Sequence, residues 1–280
     1  MKAIPYILLL PLALIVLLTQ CEKEPELVNI LDDAFLNALI ELGVDTNGDG
    51  IISPAEAEVV RSLDVSEHSI SDMSGIEAFV NIEYLDCWDN NLTSLDVSNN
   101  TALTVLDCVD NQITSLDVSY NILLRGLNCA GNGLSSLDVS QNKDLTYLTV
   151  YSNDLTSLDV SELTDLKLLD CDFNQLTILD ISNNTSITGL SCDYNQLTSL
   201  DLSNLLDLHH LECGSNQLTS LDISNNSKLG TVYIGYTCLV INYMPSLQEV
   251  CVWTLPFPPE GLNISTTGSP NVYFTTECSK

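Results

Sequence analysis

Leu85, Leu106, Leu127, Leu148, Leu169, Leu190 and Leu211 stand 21 residues apart, and Val232 continues the step. No other feature restricts the fold so tightly. Asn90, Asn111, Asn132, Asn153, Asn174, Asn195 and Asn216 keep the same interval. So do Leu95, Leu116, Leu137, Leu158, Leu179, Leu200 and Leu221, which head segments such as "LDVS". A unit this short cannot bury its own apolar face, so successive units must share one continuous core. The period therefore predicts a stack of like coils, with neighbouring strands ~4.8 Å apart.

Within a unit, "LTVLDCVDNQI" (103–113) reads L-x-x-L-x-L-x-x-N-x-L, with cysteine in the third leucine slot. This pattern resembles the leucine-rich repeat. The resemblance implies a leucine-rich-repeat solenoid of 21-residue β-rich units, with a parallel sheet on its concave face. "LDC" then forms a short strand with Leu85 and Cys87 inward and Asp86 and Trp88 outward. The asparagine turns inward at the strand's end and satisfies backbone groups of the turn. "SLDVS" forms the opposite wall and buries Leu95 and Val97.

Cys87, Cys108, Cys129, Cys171, Cys192 and Cys213 fill one slot on successive units, and Val150 and Ile234 take it elsewhere. A slot that exchanges Cys for Val or Ile is hydrophobic, so these six are expected to be buried thiols. Parallel neighbours keep their Cβ atoms ~4.8 Å apart, beyond the ~3.5–4.5 Å a disulfide needs. Cys238, Cys251 and Cys278 lie outside the column. In an oxidising compartment one pair is expected among them. Cys251 in "LQEVCVW" and Cys278 closing "NVYFTTEC" are taken as a staple at the end of the solenoid.

The chain opens "MKAIPYILLLPLALIVLLTQC", one lysine ahead of an apolar run over residues 3–18. This reads as a secretory signal over 1–20. "LLTQC" resembles a bacterial lipoprotein box with Cys21 as the lipidated residue, and "EKEPE" resembles the acidic tether of Bacteroidetes surface lipoproteins. Those resemblances imply an exported, outer-membrane-anchored lipoprotein at the cell surface, with a tether over 21–29. Residues 30–66 are expected to form a helical N-terminal cap, with Phe35, Leu39 and Leu42 on one helix face. The solenoid is expected over 67–234. An irregular β cap over 235–280 carries the turn-rich "LPFPPEG" and "TTGSPN".

Inside the N-terminal segment, "DTNGDGIISPAE" (45–56) matches the EF-hand loop D-x-[DN]-x-[DN]-G-x5-E. Asp45, Asn47 and Asp49 would supply side-chain oxygens to one structural calcium ion. Ile51 would offer its carbonyl, Ser53 a direct or water-mediated contact, and Glu56 two oxygens. A metal-free reading competes, because Ser53, Pro54 and Glu56 also make a capping box. It leaves Asp45, Asn47, Asp49 and Gly50 unexplained.

Acidic residues outnumber basic ones 38 to 8, for a formal charge of −30, which excludes nucleic acid as a partner. The composition is 45% hydrophobic, unlike that of disordered acidic chains. Outward strand positions include Trp88, Asp107, Ala130, Tyr147, Tyr151, Asp172, Phe173, Asp193, Tyr194 and Tyr233. Aromatics and carboxylates thus share one face, as binding anchors do, although strands favour aromatics in any case. A second acidic column, from Asp96 to Asp222, has serine two residues on in every unit. Local hydrogen bonds or bridging calcium would make it tolerable.

His68, His209 and His210 are the only histidines, and no G-x-S-x-G, phosphate loop or H-E-x-x-H accompanies them. Asp172 and Asp193 on neighbouring units are the one glycosidase-like pair. Almost the whole chain resembles the internalin-like leucine-rich-repeat surface lipoproteins of the Bacteroidetes, with an EF-hand-like N-terminal cap and a disulfide-closed C-terminal cap. That resemblance implies a monomeric, non-catalytic module that grips an extracellular or host protein on its concave face. A glycan is the alternative ligand, since aromatics with carboxylates also suit sugar rings. A glycoside hydrolase comes third.

Overall fold

The computed structural model describes residues 27–230, 238–260 and 262–278. The signal segment, Cys21, Val232, Tyr233 and Ile234 lie outside the described residues. Among the described residues, no helix is long and apolar enough to cross a membrane.

Each coil contributes one short strand to a ten-stranded parallel sheet. In order these are β1 (Ser62–Asp64), β2 (Tyr84–Asp86), β3 (Val105–Asp107), β4 (Gly126–Asn128), β5 (Tyr147–Thr149), β6 (Leu168–Asp170), β7 (Gly189–Ser191) and β8 (His210–Glu212). β10 (Leu239–Val240) and β12 (Ile264–Ser265) complete it. Leu63, Leu85, Leu106 and their successors lie in strict register, so every inward side chain meets its equivalent on the next rung. The fold is a leucine-rich-repeat solenoid. On the opposite wall a smaller parallel sheet joins β9 (Ser220–Asp222), β11 (Glu249–Cys251) and β13 (Tyr273–Thr275).

The strands are short because the chain turns at once into a left-handed residue. Asp89, Asp110, Ser152, Phe173, Tyr194 and Ser215 all have φ between 50° and 57°, a conformation that is unfavourable for most side chains. The buried asparagine beside each turn holds it. Asn153 Nδ2 donates to the carbonyls of Cys129, Val150 and Tyr151 at 3.0, 3.1 and 3.3 Å. Its Oδ1 accepts the Leu134 amide at 3.0 Å. One side chain therefore ties its own turn to the preceding coil, and the column repeats this rung by rung.

A second buried column comprises Asn100, Asn121, Asn142, Asn184 and Asn226. Asn121 Nδ2 donates to the carbonyls of Val97 and Asn100, both at 2.9 Å, pinning the opposite wall in the same manner. The six column cysteines are fully buried and unpaired. Burial pushes the Cys129 thiol up to about 12 and raises the Cys108 thiol well above its ordinary value, so they behave as small apolar core residues.

Both ends depart from the expected boundaries. The first rung, Ser62–Asp64, falls inside the segment assigned to the N-terminal cap. "SLDVS" at 62–66 reads like the opposite-wall segment, but its Leu63 and Val65 take the Leu85 and Cys87 slots. At the other end, β8 pairs with β10 at Leu239, 28 residues past Leu211, so the sheet runs on beyond residue 234. The last coils are longer than the repeat, yet both walls continue through them. A Cys251–Cys278 disulfide, with Cα atoms 5.4 Å apart, joins β11 to the residues just past β13.

The N-terminal helix α1 (Asp33–Glu41) buries Phe35, Ala38 and Leu39, while Leu42 is half exposed. Leu42 is the C-cap, and Gly43, at φ 77°, ends the helix directly after it. Asp32 caps α1 through the Ala34 and Phe35 amides, and its other oxygen accepts from Ser71, tying the helix to the first coil.

Candidate binding face

The outward residues of β2–β8 fall into rows across the concave sheet, because register repeats each position on the next coil. The row ahead of the aligned leucines carries Tyr84, Val105, Gly126, Tyr147, Leu168, Gly189 and His210. Gly189 lets the Leu168 side chain lie across it, since a Cβ at this position would come within 2.6 Å of Leu168 Cδ2. A groove of ≈ 550 Å³ is lined by Thr149, Leu168, Asp170, Gly189, Ser191 and His210.

The expected aromatics are divided by position. Tyr147, Phe173 and Tyr194 are exposed, whereas Trp88 and Tyr151 are half-buried. Phe173 and Tyr194 occupy equivalent left-handed turn positions and stack, with ring centroids 4.1 Å apart at 12°. This pair presents a broad apolar surface beside the carboxylates. Ala130 is fully buried, contrary to its expected outward placement. A methyl group does not emerge between the larger Val109 and Tyr151 of the same row.

The carboxylates of β6–β8 form the most unusual electrostatic feature. Asp193 is 9% exposed. The Asp193 amide donates to Asp172 Oδ1 at 2.6 Å, the Gly214 amide to Asp193 Oδ1, and the Asp172 amide to Asp170 Oδ1 at 3.2 Å. Burial, followed by the charges of Asp170 and Asp193, pushes Asp172 up to about 8. Burial and the Glu212 charge push Asp193 up to about 6, against the pull of the Gly214 amide and His210. Asp170 is also raised, chiefly by burial. His210 Nε2 lies 3.0 Å from Glu212 Oε1. Farther along, Asp107 accepts from the Val109 amide at 3.1 Å and from Asn128 Nδ2 at 3.0 Å. Burial raises it too.

The opposite-wall acids behave differently. Asp96, Asp117, Asp138, Asp159, Asp180, Asp201 and Asp222 each accept the amide of the serine two residues on, at 2.9–3.0 Å. Hydrogen bonds from Ser98 hold Asp96 below the usual carboxylate range, and Asp117, Asp138, Asp159, Asp180 and Asp201 are held low by their own serines. Each acid is satisfied inside its own turn.

The 45–56 loop is closed by its own hydrogen bonds. Asp45 accepts from the Gly48, Asp49 and Gly50 amides, Asn47 Oδ1 from the Asp49 amide, and Asp49 from the Ile51 amide. Glu56 Oε1 takes the Thr46 amide and hydroxyl, and its Oε2 the Ser53 amide and hydroxyl. Ser53 and Glu56 complete a capping box on the single-turn helix α2 (Pro54–Ala57). Among the described residues, the one trio of acidic, cysteine or histidine ligand atoms within 4.8 Å of one another is Asp222, Cys251 and Cys278, and its sulfurs are in the disulfide. Asp45, Asp49 and Glu56 are therefore not gathered as a preformed cage.

Residues 80–121 match a leucine-rich-repeat family model (two copies), and residues 171–196 match an LVIVD repeat model. No curated protein matches the sequence. Among solved structures the chain is similar to the functional domain of InlJ from Listeria monocytogenes, which includes a cysteine ladder. The match has 32% identity and a TM-score of 0.60, and covers 79% of this chain. It spans only 56% of that structure's length. The leucine-rich-repeat protein LIC12759 of Leptospira interrogans matches at 20% identity and TM-score 0.55, covering 79% of this chain and 67% of that one. Internalin C2 of Listeria monocytogenes matches at 20% identity and TM-score 0.59, covering 90% and 98%.

Proposed function

We propose that this is a surface-anchored, non-catalytic module that binds a protein on the concave face of its solenoid. The observation that carries this reading is the exposed Phe173–Tyr194 stack beside the β6–β8 groove. Rigid aromatic area next to a hollow is the usual composition of a binding anchor, and stacked repeats create extended concave surfaces suited to the purpose. A glycan is the second reading, favoured by the same flat aromatic surface set against carboxylates. Hydrolysis is not favoured, because Asp172 and Asp193 each commit an oxygen to a backbone amide.

The test is binding of the purified protein to a panel of extracellular proteins and to a glycan array. A Trp88→Ala/Tyr151→Ala/Tyr194→Ala variant is run beside it. A protein ligand lost in the variant supports the proposal, and a glycan lost in the same way moves the reading to carbohydrate capture. Equal binding by the variant removes the concave face from the account.

Anchoring through a lipid on Cys21 is part of the proposal. Cys21→Ser is expected to move the protein out of the membrane fraction and abolish incorporation of labelled palmitate. Retention in that fraction would count against the anchor.

One structural calcium ion on the 45–56 loop is also proposed, resting on the spacing of Asp45, Asn47, Asp49, Ile51, Ser53 and Glu56. For Glu56 to chelate, it must release the Thr46 and Ser53 amides, which points to weak, extracellular-type affinity of about 10⁻⁴–10⁻³ M. Calorimetry is expected to detect that binding, and chelation to lower the melting temperature. No heat at millimolar calcium and no thermal shift would leave Glu56 as a capping residue alone.

A further inference from the structure

Resting on the protein-binding reading above, we infer that the groove over β6, β7 and β8 takes a polypeptide segment presenting an arginine or lysine beside an apolar side chain. The hollow supplies the apolar half. Leu168, Leu169 and Gly189 are among its lining residues, and the Leu168 side chain lies across Gly189. The volume of ≈ 550 Å³ admits a long side chain with a neighbour, and the Phe173–Tyr194 stack extends the apolar surface past the strand ends.

The charged half follows from what the face lacks. No outward strand position of β2–β8 holds a lysine or arginine. Asp170 and Glu212 flank Ser191 in the row just past the aligned leucines, so the groove has acid on both sides. Asp172 is faced by Asp170 of its own coil, by Asp193 on the next and by Glu212 of β8, with Tyr151 at the equivalent position on the coil before, while His210 of β8 acts on Asp193. These carboxylates crowd one another in a partly desolvated place. A guanidinium or ammonium group relieves that repulsion, whereas a neutral sugar or an anionic chain does not. Asp172 and Asp193 sit high enough, at about 8 and about 6, that an arriving cation would expel protons.

The acids of the opposite wall give an internal control, because each is already satisfied by its own serine. The probe is a short fluorescein-labelled peptide of alternating leucine and arginine, titrated by anisotropy against three proteins. These are the wild type, Asp170→Asn/Glu212→Gln, and Asp138→Asn/Asp159→Asn. Both variants lose two negative charges, so a general attraction to an acidic protein weakens equally in each. A seated arginine is expected to weaken about tenfold in the first and less than about threefold in the second, with protons released on binding to the wild type. Equal weakening in both, or no binding to the wild type, overturns the inference. A neutral or acidic protein that binds the wild type and is lost with Trp88, Tyr151 and Tyr194 would also overturn it, while leaving the protein-binding reading in place.

Discussion

Asn153→Ala is expected to lower the free energy of unfolding by about 3–4 kcal/mol. The side chain is 8% exposed and serves four backbone groups at once. Alanine leaves the Leu134 amide without this partner in a place closed to water, where an orphaned buried group costs about 1–3 kcal/mol, and it removes three further bonds to carbonyls, of which that of Cys129 keeps Asn132 Nδ2 at 3.2 Å. Asn153→Asp is expected to be worse. It keeps the acceptor for Leu134 but turns a carboxylate toward three carbonyl oxygens. Asn91→Ala provides the contrast, since Asn91 makes one exposed bond to the Ser69 carbonyl at 3.2 Å. Urea unfolding of the three variants beside the wild type measures the differences. A loss below about 1 kcal/mol for Asn153→Ala would mean that the column follows from the coil and does not hold it together.

The second large effect has the opposite sign. Asp172→Asn is expected to stabilise the protein by a gain that grows as pH rises from about 4 to about 8. In the unfolded chain Asp172 titrates near its ordinary value of 3.8, and in the fold at about 8. Between those values the folded state holds the proton more often than the unfolded state, so stability falls as pH rises through the window. Above about pH 8 the carboxylate is charged in both states and the whole penalty is present. Below about pH 4 it is neutral in both and the penalty is gone. Asparagine is uncharged throughout and keeps an oxygen for the Asp193 amide. The gain is on the order of a few kcal/mol above about pH 8, with each kcal/mol raising the melting temperature by about 2–4 °C. Thermal melts across the pH range follow the gap between variant and wild type. A gap that stays constant down to about pH 4 would place its origin in packing rather than in charge.

These two positions also show what the sequence could reveal. Asn153 was legible because an amide that recurs at every turn, next to an inward cysteine or valine, has only backbone groups to serve. The second asparagine column keeps the same interval but is not legible in the same way. Leu163 and Leu205 interrupt it, and the leucine pattern alone does not demand it. Strand phase at the ends was hidden for a related reason. Leu239 joins the sheet 28 residues past Leu211, off the 21-residue step, so no periodic signal marks it.

The acidic patch needed the fold in a stronger sense. Asp172 and Asp193 read as two more outward acids, like Asp138 and Asp159 on the other wall. Only burial and the convergence of neighbouring coils separate the first two, which are raised, from the second two, which are held low. The calcium loop shows the limit of a motif. Its spacing is complete, yet spacing does not say that Glu56 turns to the Thr46 and Ser53 amides.

Hydroxyl-radical footprinting of the protein with its bound partner tests the central claim most directly. If the concave face is the binding surface, oxidation falls at Phe173, Tyr194 and Tyr147, which stand exposed on it. Tyr120, Ile178 and Leu206, exposed on segments away from that sheet, keep their rates. Protection of Tyr120, Ile178 and Leu206 with Phe173 and Tyr194 unchanged would contradict the account.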